Sequence, residues 1–338
     1  MDSITHIALG ACIGEAAISK QAGKKALLLG AIAQNLPDID VVASLWLPST
    51  ENLLFHRGFT HSFLFGAVAA CLLSVIVRKI FGFRKVSFVK LSVFFCIQMW
   101  LHDLLDTCNA YGTGLFEPFS HQRFSFHLLY VADPFFSISL VIAFFALVIL
   151  KKHIPARKRW LTAGLIPASF YLLYSIYNKA SIKRQVEKSL LITQVPYKTA
   201  FITPTPFNSF LWYIVAAADS GYFVGYRSIL DKDSLLVPFT YYPKNEQFLQ
   251  SADKNVNVKQ LLRFADHYYT VQYIHDSVLV FNVLRFGQVL GWQNAKADFA
   301  FQYFLSSSYD NSLVVQRGRF RGWNRKTLTR MYKRIMGN

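Results

Sequence analysis

The chain has 338 residues, of which 53% are hydrophobic, and its mean hydropathy is +0.28. These values are high for a soluble protein and favour an integral membrane protein. Its 36 Lys and Arg against 19 Asp and Glu give a formal net charge of +17, which suggests anionic lipid or nucleic acid as a neighbour. The four cysteines show no CxxC spacing, which argues against a disulfide framework and a thiolate metal site.

The first 177 residues predict an α-helical membrane domain of about four to six transmembrane or half-spanning helices. Six apolar segments are present, and the last four approach the ~20 residues that a spanning helix needs. The first two are shorter, and Pro37 ends the second, so they also fit tilted or half-spanning helices. The six segments are Ile4–Ile18, Ala26–Leu36, Ser62–Val77, Leu91–Leu105, Pro134–Leu150 and Leu161–Tyr177.

Ionisable side chains recur at the ends of these segments, where they are costly in a membrane and often mark a site. His6 follows Asp2 by four residues, and the first segment begins between them. Asp38 and Asp40 follow Pro37. In an extended stretch both carboxylates would face the same side, as one bridging and one terminal metal ligand, whereas turn-forming Asp in a plain loop is the alternative.

The sequence H-R-G-F-T-H-S from His56 to Ser62 precedes the third segment. His56 and His61 are candidate metal ligands, and the planar fork of Arg57 suits a phosphate or carboxylate. We expect Gly58 to allow close approach of a ligand, and Thr60 or Ser62 to cap the following helix.

In W-L-H-D-L-L-D, His102 and Asp106 are four residues apart and share one helical face, as two ligands of one ion should. Asp103 is turned about 100° away and suits an orienting or charge-balancing role. A helix end with solvated acids is the alternative.

Farther on, the loop from Tyr111 to His127 carries Glu117, His121, Arg123 and His127. It could close over the site and add ligands or a general acid, or it could be an interfacial loop.

Basic loops predict the orientation of the segments, because Lys and Arg gather on the cytoplasmic side. If the three basic loops are inside and all six segments cross, the four acidic and imidazole clusters meet at the outer face. We therefore predict one site, on the extracytoplasmic side of the inner membrane. The loops are Lys20–Lys25, Arg78–Lys90 and Lys151–Arg159.

The motifs D-S-I-T-H, P-D-I-D, H-R-G-F-T-H-S, H-D-L-L-D and G-T-G-L-F-E-P-F, in this order, resemble the YdjM-type family of LexA-regulated inner-membrane proteins, which are described as metal-dependent hydrolases. The resemblance covers about residues 1 to 135. It implies a metal centre remotely similar to those of zinc-dependent phospholipase C and P1-type nucleases, whose H-x-x-x-D pair His102 and Asp106 match. The ligands that it implies are His6, Asp38, His61, His102 and Asp106, followed by Asp40 and His56.

The second half, residues 178–338, predicts a β-rich α+β domain, because its apolar runs are shorter and alternate. We expect strands between Ser181 and Tyr309, with a hairpin turning at Asp219 to Gly221. The six-crossing count places this domain outside. The tail from Arg317 to Arg334 interleaves basic and aromatic residues, which favours contact with lipid over nucleic acid in a membrane-attached chain.

The function that these patterns predict is hydrolysis of an ester or phosphodiester, with a membrane lipid head group or lipid-linked phosphate as substrate. A divalent metal, zinc by the ligand types, would activate water. Asp40 or Asp103 would take the proton, and Arg57 would hold a phosphoryl oxygen. The rival is a non-catalytic membrane protein in which the same residues form a structural metal site or a cation-transport path. Collection of the ionisable groups at segment ends favours surface chemistry over transport.

Overall fold

Long apolar runs form helices in the first half of the chain, as expected, and antiparallel sheets follow in the second half. The structure is a computed structural model. It describes residues 1–80, 82–83, 86–151, 154–231, 236–254, 256–274, 278–306, 311 and 322–337. Arg84, Lys85 and Lys152 of the predicted basic loops, and residues 317–321 of the predicted lipid-contacting tail, lie outside these ranges.

Six helices of the first half correspond to the six predicted segments, although the last of them extends well beyond the predicted end at Tyr177. The helices of this half are α1 (Ser3–Ala22), α2 (Lys25–Asn35), α3 (Ser49–Phe55), α4 (Phe63–Ile80), α5 (Phe88–Asp106), α6 (Pro134–Ile149) and α7 (Ala156–Ile192). Two 3₁₀ helices, Pro37–Leu45 and Phe59–His61, connect them. Ser62 Oγ accepts a hydrogen bond from the Phe65 amide, so the predicted cap at the start of α4 is present.

Within the described residues, α4 and α5 are long and apolar enough to cross a membrane. A third span exists if α2 and the 3₁₀ helix Pro37–Leu45, bent by 56°, cross as one unit. By length and composition the described helices therefore support two or three of the six crossings, and the full count stays a prediction. Proline lacks the amide that would continue α2 and its ring clashes with the preceding turn, which explains the bend. α6 is apolar but has only 16 residues. Exposed Val68 and Leu72 on α4, and Ile138 on α6, suit contact with lipid.

Close contact between α1 and α2 depends on glycine. A Cβ on Gly30 would lie 1.9 Å from the Gly10 carbonyl oxygen, and a Cβ on Gly14 would lie 2.1 Å from the Ala26 carbonyl oxygen. Gly10 and Gly14 form a G-x-x-x-G pattern, which lets two helices in a membrane approach closely. On the other side of this pair, Leu91, Phe95 and Met99 of α5 pack in the buried core with Ala26 and Ala33 of α2.

The second half contains two antiparallel sheets. One has the order β1 (Thr199–Pro204), β2 (Leu211–Ala217), β3 (Gly221–Ser228), β4 (Thr240–Pro243), and the other has the order β5 (Tyr269–Ile274), β6 (Val278–Val283), β7 (Gln302–Phe304). Ala217 pairs with Tyr222, which confirms the predicted hairpin. The fold class, a helical membrane region followed by a β-rich region, is confirmed.

The predicted start of the strands at Ser181 is wrong, because α7 continues to Ile192. Ile182, Val186 and Leu190 recur every four residues and pack on β2 through Trp212 and Ile214. This helical stripe covers one face of the first sheet. The second half also contains α8 (Val258–Ala265), α9 (Arg325–Ile335) and the 3₁₀ helices Glu246–Ser251 and Leu284–Phe286. Contact of α9 with lipid stays a prediction.

The chain divides into two compact units. Unit 1 comprises Met1–Trp46, Phe55–Ser175 and Pro206–Asn208, and unit 2 comprises Leu47–Leu54, Ile176–Thr205 and Ser209–Asn338. The division falls within α7, and the predicted domain boundary between residues 177 and 178 lies inside the same helix.

Replacing Gly30 with alanine should force α1 and α2 apart, because the new methyl group would overlap the Gly10 carbonyl. We expect Gly30→Ala to lower the free energy of unfolding by about 1–3 kcal/mol, as overpacking usually does. Thermal unfolding of the detergent-purified protein measures the effect. Ile32→Ala, at a half-exposed position on the same helix, is the matched control and should change stability less. Equal stabilities of Gly30→Ala and wild type would contradict the close contact.

Candidate metal centre

Four segments end at one place in unit 1: the start of α1, the 3₁₀ helix Pro37–Leu45, the turn before α4, and the last turn of α5. The sequence-predicted site residues all lie on these segments. They are His6, Asp38, Asp40, His56, Arg57, His61, His102, Asp103 and Asp106. Each segment approaches as a helix end, which lets polar groups meet while the apolar helix bodies pack on one another.

One nitrogen or oxygen from each of Asp38, His61, His102 and Asp106 lies within 4.8 Å of the other three. The His61 and His102 Nε2 atoms are 3.2 Å apart. Asp38 Oδ1 lies 3.4 Å and 3.6 Å from these two nitrogens, and Asp106 Oδ2 lies 3.6 Å and 3.7 Å from them. Ligands around a tetrahedral zinc are about 3.3–3.6 Å apart when each is ~2.0–2.2 Å from the ion. These five distances, 3.2–3.7 Å, are close to the spacing of a tetrahedral coordination shell.

Hydrogen bonds on the far side of each imidazole direct its lone pair into this group. His102 Nδ1 is 2.6 Å from the Gln34 carbonyl oxygen, which can only accept, so Nδ1 carries the proton. His61 Nδ1 is 3.3 Å from Asp40 Oδ2 and 3.1 Å from the Thr60 hydroxyl, which itself donates to Asp40. In the neutral rings both Nε2 lone pairs then face each other. Two lone pairs that face each other repel unless a positive charge lies between them. Metal-binding histidines usually donate their other N–H to a carbonyl or carboxylate oxygen, as both imidazoles can here.

Both carboxylate oxygens of Asp40 contact neighbouring groups and orient them. Oδ1 contacts His56 Nδ1 at 2.9 Å, and Oδ2 accepts from the Arg57 amide at 2.9 Å and the Thr60 hydroxyl at 2.8 Å. A second possible metal group consists of Asp38, Asp40 and His56, and it shares Asp38 with the first. Because Asp40 already accepts several hydrogen bonds, the first group is the better candidate for one tightly held ion.

The extended conformation predicted for Asp38 to Asp40 is wrong, since both lie in the 3₁₀ helix Pro37–Leu45. Residues two apart in a helix with three residues per turn point in different directions. Asp38 accordingly reaches His61 and His102, while Asp40 reaches His56 and the turn before α4.

Arg57 holds its neighbours in place. Its Nε lies 2.9 Å from Asp106 Oδ2, its Nη1 donates to Asn109 Oδ1 at 2.7 Å, and its guanidinium lies 5.0 Å from the Tyr111 ring centroid. Arg57, not Gly58, has the positive φ, 62°, which is uncommon for a residue with a side chain. The predicted phosphate contact of Arg57 stays a prediction, because the structure shows its guanidinium directed at Asp106 and Asn109.

Asp106 joins the metal group to the start of α1. Its Oδ1 contacts the α-amino group of Met1 and lies 3.4 Å from His6 Nε2. The His6 ring stacks on His102 with centroids 3.9 Å apart. His6 therefore lies beside the four-atom group and contacts two of its members, which differs from the ligand role that the resemblance implies.

Asp103 is completely buried, and both of its carboxylate oxygens lack a hydrogen-bond partner among the described residues. It interacts electrostatically with His61 and Asp38. An unpartnered buried carboxylate is unfavourable in a protein interior. Its position is consistent with a group that takes up a proton or balances a cation nearby.

The electrostatics of the turn before α4 favour positive charge. Burial lowers the pKa of Arg57 to about 10, although Asp38 and Asp40 raise it, so the guanidinium is charged at neutral pH. Burial also lowers the pKa of His61, but contacts with Asp38 and Asp40 outweigh it and raise the pKa above its ordinary value. Surplus carboxylate charge here stabilises either a proton or a metal ion.

The loop from Tyr111 to His127 supports the turn before α4. The Gly114 amide donates to the Arg57 carbonyl at 2.9 Å, and Arg123 Nη2 donates to the His56 carbonyl at 2.8 Å. His121 contacts Glu117 at 2.7 Å, and its side chain is 66% exposed. Neither belongs to a four-atom or three-atom group that could hold an ion in the described residues.

Sequence reasoning missed two glutamines. Gln34 supplies the carbonyl behind His102, and buried Gln98 donates to the Gly10 carbonyl at 2.9 Å. Gln98, His102 and Asp106 are spaced by four, so the helical period could have indicated Gln98 as a member of the same face. No sequence pattern marks a backbone carbonyl such as that of Gln34.

Comparisons with known proteins agree with the membrane character of this fold. Residues 1–182 match the model of the YdjM inner membrane protein family. The chain is 27% identical to the uncharacterized protein YfhP of Bacillus subtilis (strain 168), over 79% of this chain and 81% of that protein. It is 35% identical to the inner membrane protein YbcI of Escherichia coli (strain K12), over 36% of this chain and 69% of that protein. No solved structure matches. The family match and the apolar helices support an inner-membrane location, and the chain belongs to the YdjM inner membrane protein family.

Proposed function

We propose that the protein is a membrane-bound metal-dependent hydrolase that binds one zinc ion between Asp38, His61, His102 and Asp106. The observation that carries the proposal is the approach of two imidazole Nε2 atoms to 3.2 Å, each with its other nitrogen directed at an oxygen. Two nitrogen and two oxygen ligands in tetrahedral spacing suit Zn²⁺ better than Ca²⁺ or Mg²⁺, which prefer six or more oxygen ligands.

The chemistry that such an ion supplies is Lewis acidity, which lowers the pKa of water toward neutrality. Asp40 and the Gln34 carbonyl hold the two imidazoles in the tautomer that leaves Nε2 unprotonated. Asp103, whose oxygens have no described hydrogen-bond partner, accepts a proton as general base. Arg57 Nε lies 2.9 Å from Asp106 Oδ2 and holds this carboxylate in place, which makes Arg57 a positioning residue in this scheme.

The substrate class follows from the position of the site at the ends of membrane helices. An ester or phosphodiester in a lipid head group, or a lipid-linked phosphate, can reach that depth without leaving the bilayer. The basic turn at Lys20–Lys25 lies at the other end of α1 from His6, so the positive-inside tendency supports an extracytoplasmic site. The proposed site therefore faces the outer leaflet.

Metal content tests the ligand assignment. Detergent-purified wild type should contain about one zinc ion per chain by mass spectrometry of the metals, and His102→Ala and Asp38→Asn should lower this at least tenfold at equal free zinc, because losing even a supporting group costs 10–100-fold in affinity. The matched control is His121→Ala, at an exposed histidine outside the group, which should retain wild-type zinc. Equal zinc in His102→Ala and wild type would remove the assignment.

Hydrolysis of bis(p-nitrophenyl) phosphate and of a p-nitrophenyl ester tests the reaction. We expect Asp103→Asn to retain zinc but to lower kcat by about 10²–10⁴, the usual contribution of a general base, since the amide cannot take a proton. The matched control, Ser74→Ala, removes a buried hydroxyl of α4 that donates to the Ala70 carbonyl, outside the metal group, and should change kcat less. Full activity of Asp103→Asn would exclude the proposed base.

A structural metal site is the second candidate, and burial is the observation that favours it. His61, His102 and Asp106 are fully buried, and of the four ligands only Asp38 has a partly exposed side chain, at 18%. A structural ion would tie α2, α5 and the turn before α4 together. Removal of metal by a chelator should then lower the thermal unfolding temperature by several degrees while no ester or phosphodiester is turned over. A metal that is needed for turnover but leaves stability unchanged would exclude this candidate.

A further inference from the structure

A polar pocket and an apolar groove meet in unit 1, away from the metal group. The pocket, about 580 Å³, lies between the C-terminal half of α1 and the start of α7, and lysines Lys20, Lys24 and Lys158 line it. The groove, also about 580 Å³, runs along α2 and is lined by Leu28, Ile32 and other apolar residues. Lys24 lines both, so the two form one continuous surface with a basic end and an apolar end.

The floor of the pocket is built from a buried ion pair. Arg157 Nε and Nη2 donate to the two Glu15 carboxylate oxygens at 2.8 Å and 2.7 Å. Its Nη1 donates to the Leu147 and Leu150 carbonyls at the end of α6, at 2.6 Å and 2.8 Å. Arg157 and Glu15 thus neutralise each other and hold α1, α6 and α7 together. The positive charge that the pocket presents comes from the lysines.

Three exposed lysines remain to face a ligand. Lys20, Lys24 and Lys158 are exposed, and with the Arg157–Glu15 pair neutral they give this pocket a net charge of +3. The Lys24 ammonium donates to the Val148 carbonyl at 2.6 Å and, having three protons, keeps donors for a second partner. A pocket with this charge attracts a phosphate group.

The groove has the dimensions of one lipid chain. From Lys24 to Asn35 it follows 11 residues of helix, which is about 16 Å at 1.5 Å per residue. This is about half of the ~30 Å hydrocarbon core of a bilayer, and so about one leaflet. Leu28 is 61% exposed and Ile32 is 50% exposed, so the groove opens outward from the helix bundle.

We propose that unit 1 binds one anionic phospholipid, with its phosphate among Lys20, Lys24 and Lys158 and one acyl chain in the groove along α2. A water-soluble anion would bind in the pocket and leave the groove empty. A zwitterionic lipid would fill the groove but would bring no net negative charge to the lysines. Only an anionic lipid matches both ends. Basic pockets between membrane helices bind anionic head groups in the same way. The site lies in the leaflet on the side of the Lys20–Lys25 turn and does not depend on the proposed hydrolysis.

Titration of the full-length protein in detergent with phosphatidylglycerol or phosphatidylcholine of identical acyl chains tests the proposal. Native mass spectrometry counts bound lipid, and thermal unfolding gives the affinity. We expect one tightly bound phosphatidylglycerol in wild type. Lys20→Ala/Lys158→Ala should weaken it roughly 30-fold, from about 1 kcal/mol per lysine, while leaving phosphatidylcholine unchanged. Lys24 is left intact because it also caps α6.

The matched control is Lys183→Ala/Lys188→Ala, which removes the same charge from exposed positions of unit 2 on α7 and should retain wild-type affinity. Ala31→Leu narrows the groove and should weaken the phospholipid but not inorganic phosphate, and its unfolding temperature without lipid shows whether it folds. Equal affinity for the two lipids, or equal losses in both lysine variants, would overturn the site. Inorganic phosphate that binds as tightly as phosphatidylglycerol would show an anion pocket without a lipid.

Discussion

A carboxylate buried at the end of an apolar helix requires compensation, and Asp106 receives it from two other segments and from its own helix. Its two oxygens contact Arg57, His6, His61 and His102 within 2.9–3.7 Å. Removal of one partner from such a buried charge usually costs 3–5 kcal/mol, because the remaining charge stays desolvated. The start of α1, the turn before α4 and the end of α5 are therefore held at one point by the carboxyl group of Asp106. The metal group is assembled around that same group.

The helix bundle has to bring these ends together without polar contacts along its length. Gly10, Gly14 and Gly30 let α1 and α2 approach until backbone touches backbone, which fixes their relative height. Gln98 links α5 to this pair through the Gly10 carbonyl. The position of α1 along α2 and α5 in turn determines where His6 stacks on His102. Packing of small residues in the middle of the bundle and ion pairing at its end are consequently parts of one arrangement.

The general location of the site could be predicted from the sequence, whereas the roles of the individual residues within it could not. The i, i+4 spacing of His102 and Asp106 follows from the helical period, and charge in the loops indicated that distant clusters meet. The 3₁₀ conformation after Pro37 has no comparable periodic signal, and it decides that Asp38 faces the Nε2 atoms of His61 and His102 while Asp40 contacts Nδ1 of His61. The left-handed backbone of Arg57 also depends on tertiary contacts, namely those of its amide with Asp40 and its carbonyl with Gly114. Such contacts exist only after the segments have met.

Access decides whether a centre of this kind can turn over a substrate. His61, His102 and Asp106 are buried, whereas Asp38 and His56 keep partly exposed side chains, at 18% and 31%. The exposed side of the centre is therefore the 3₁₀ helix Pro37–Leu45, whose Val41, Val42 and Leu45 are also exposed and apolar. An apolar rim beside a buried polar centre suits a substrate that arrives with its chains in lipid and presents only an ester or phosphate inward. A small hydrophilic ester would gain nothing from that rim, which supports the proposed lipid substrate over a soluble one.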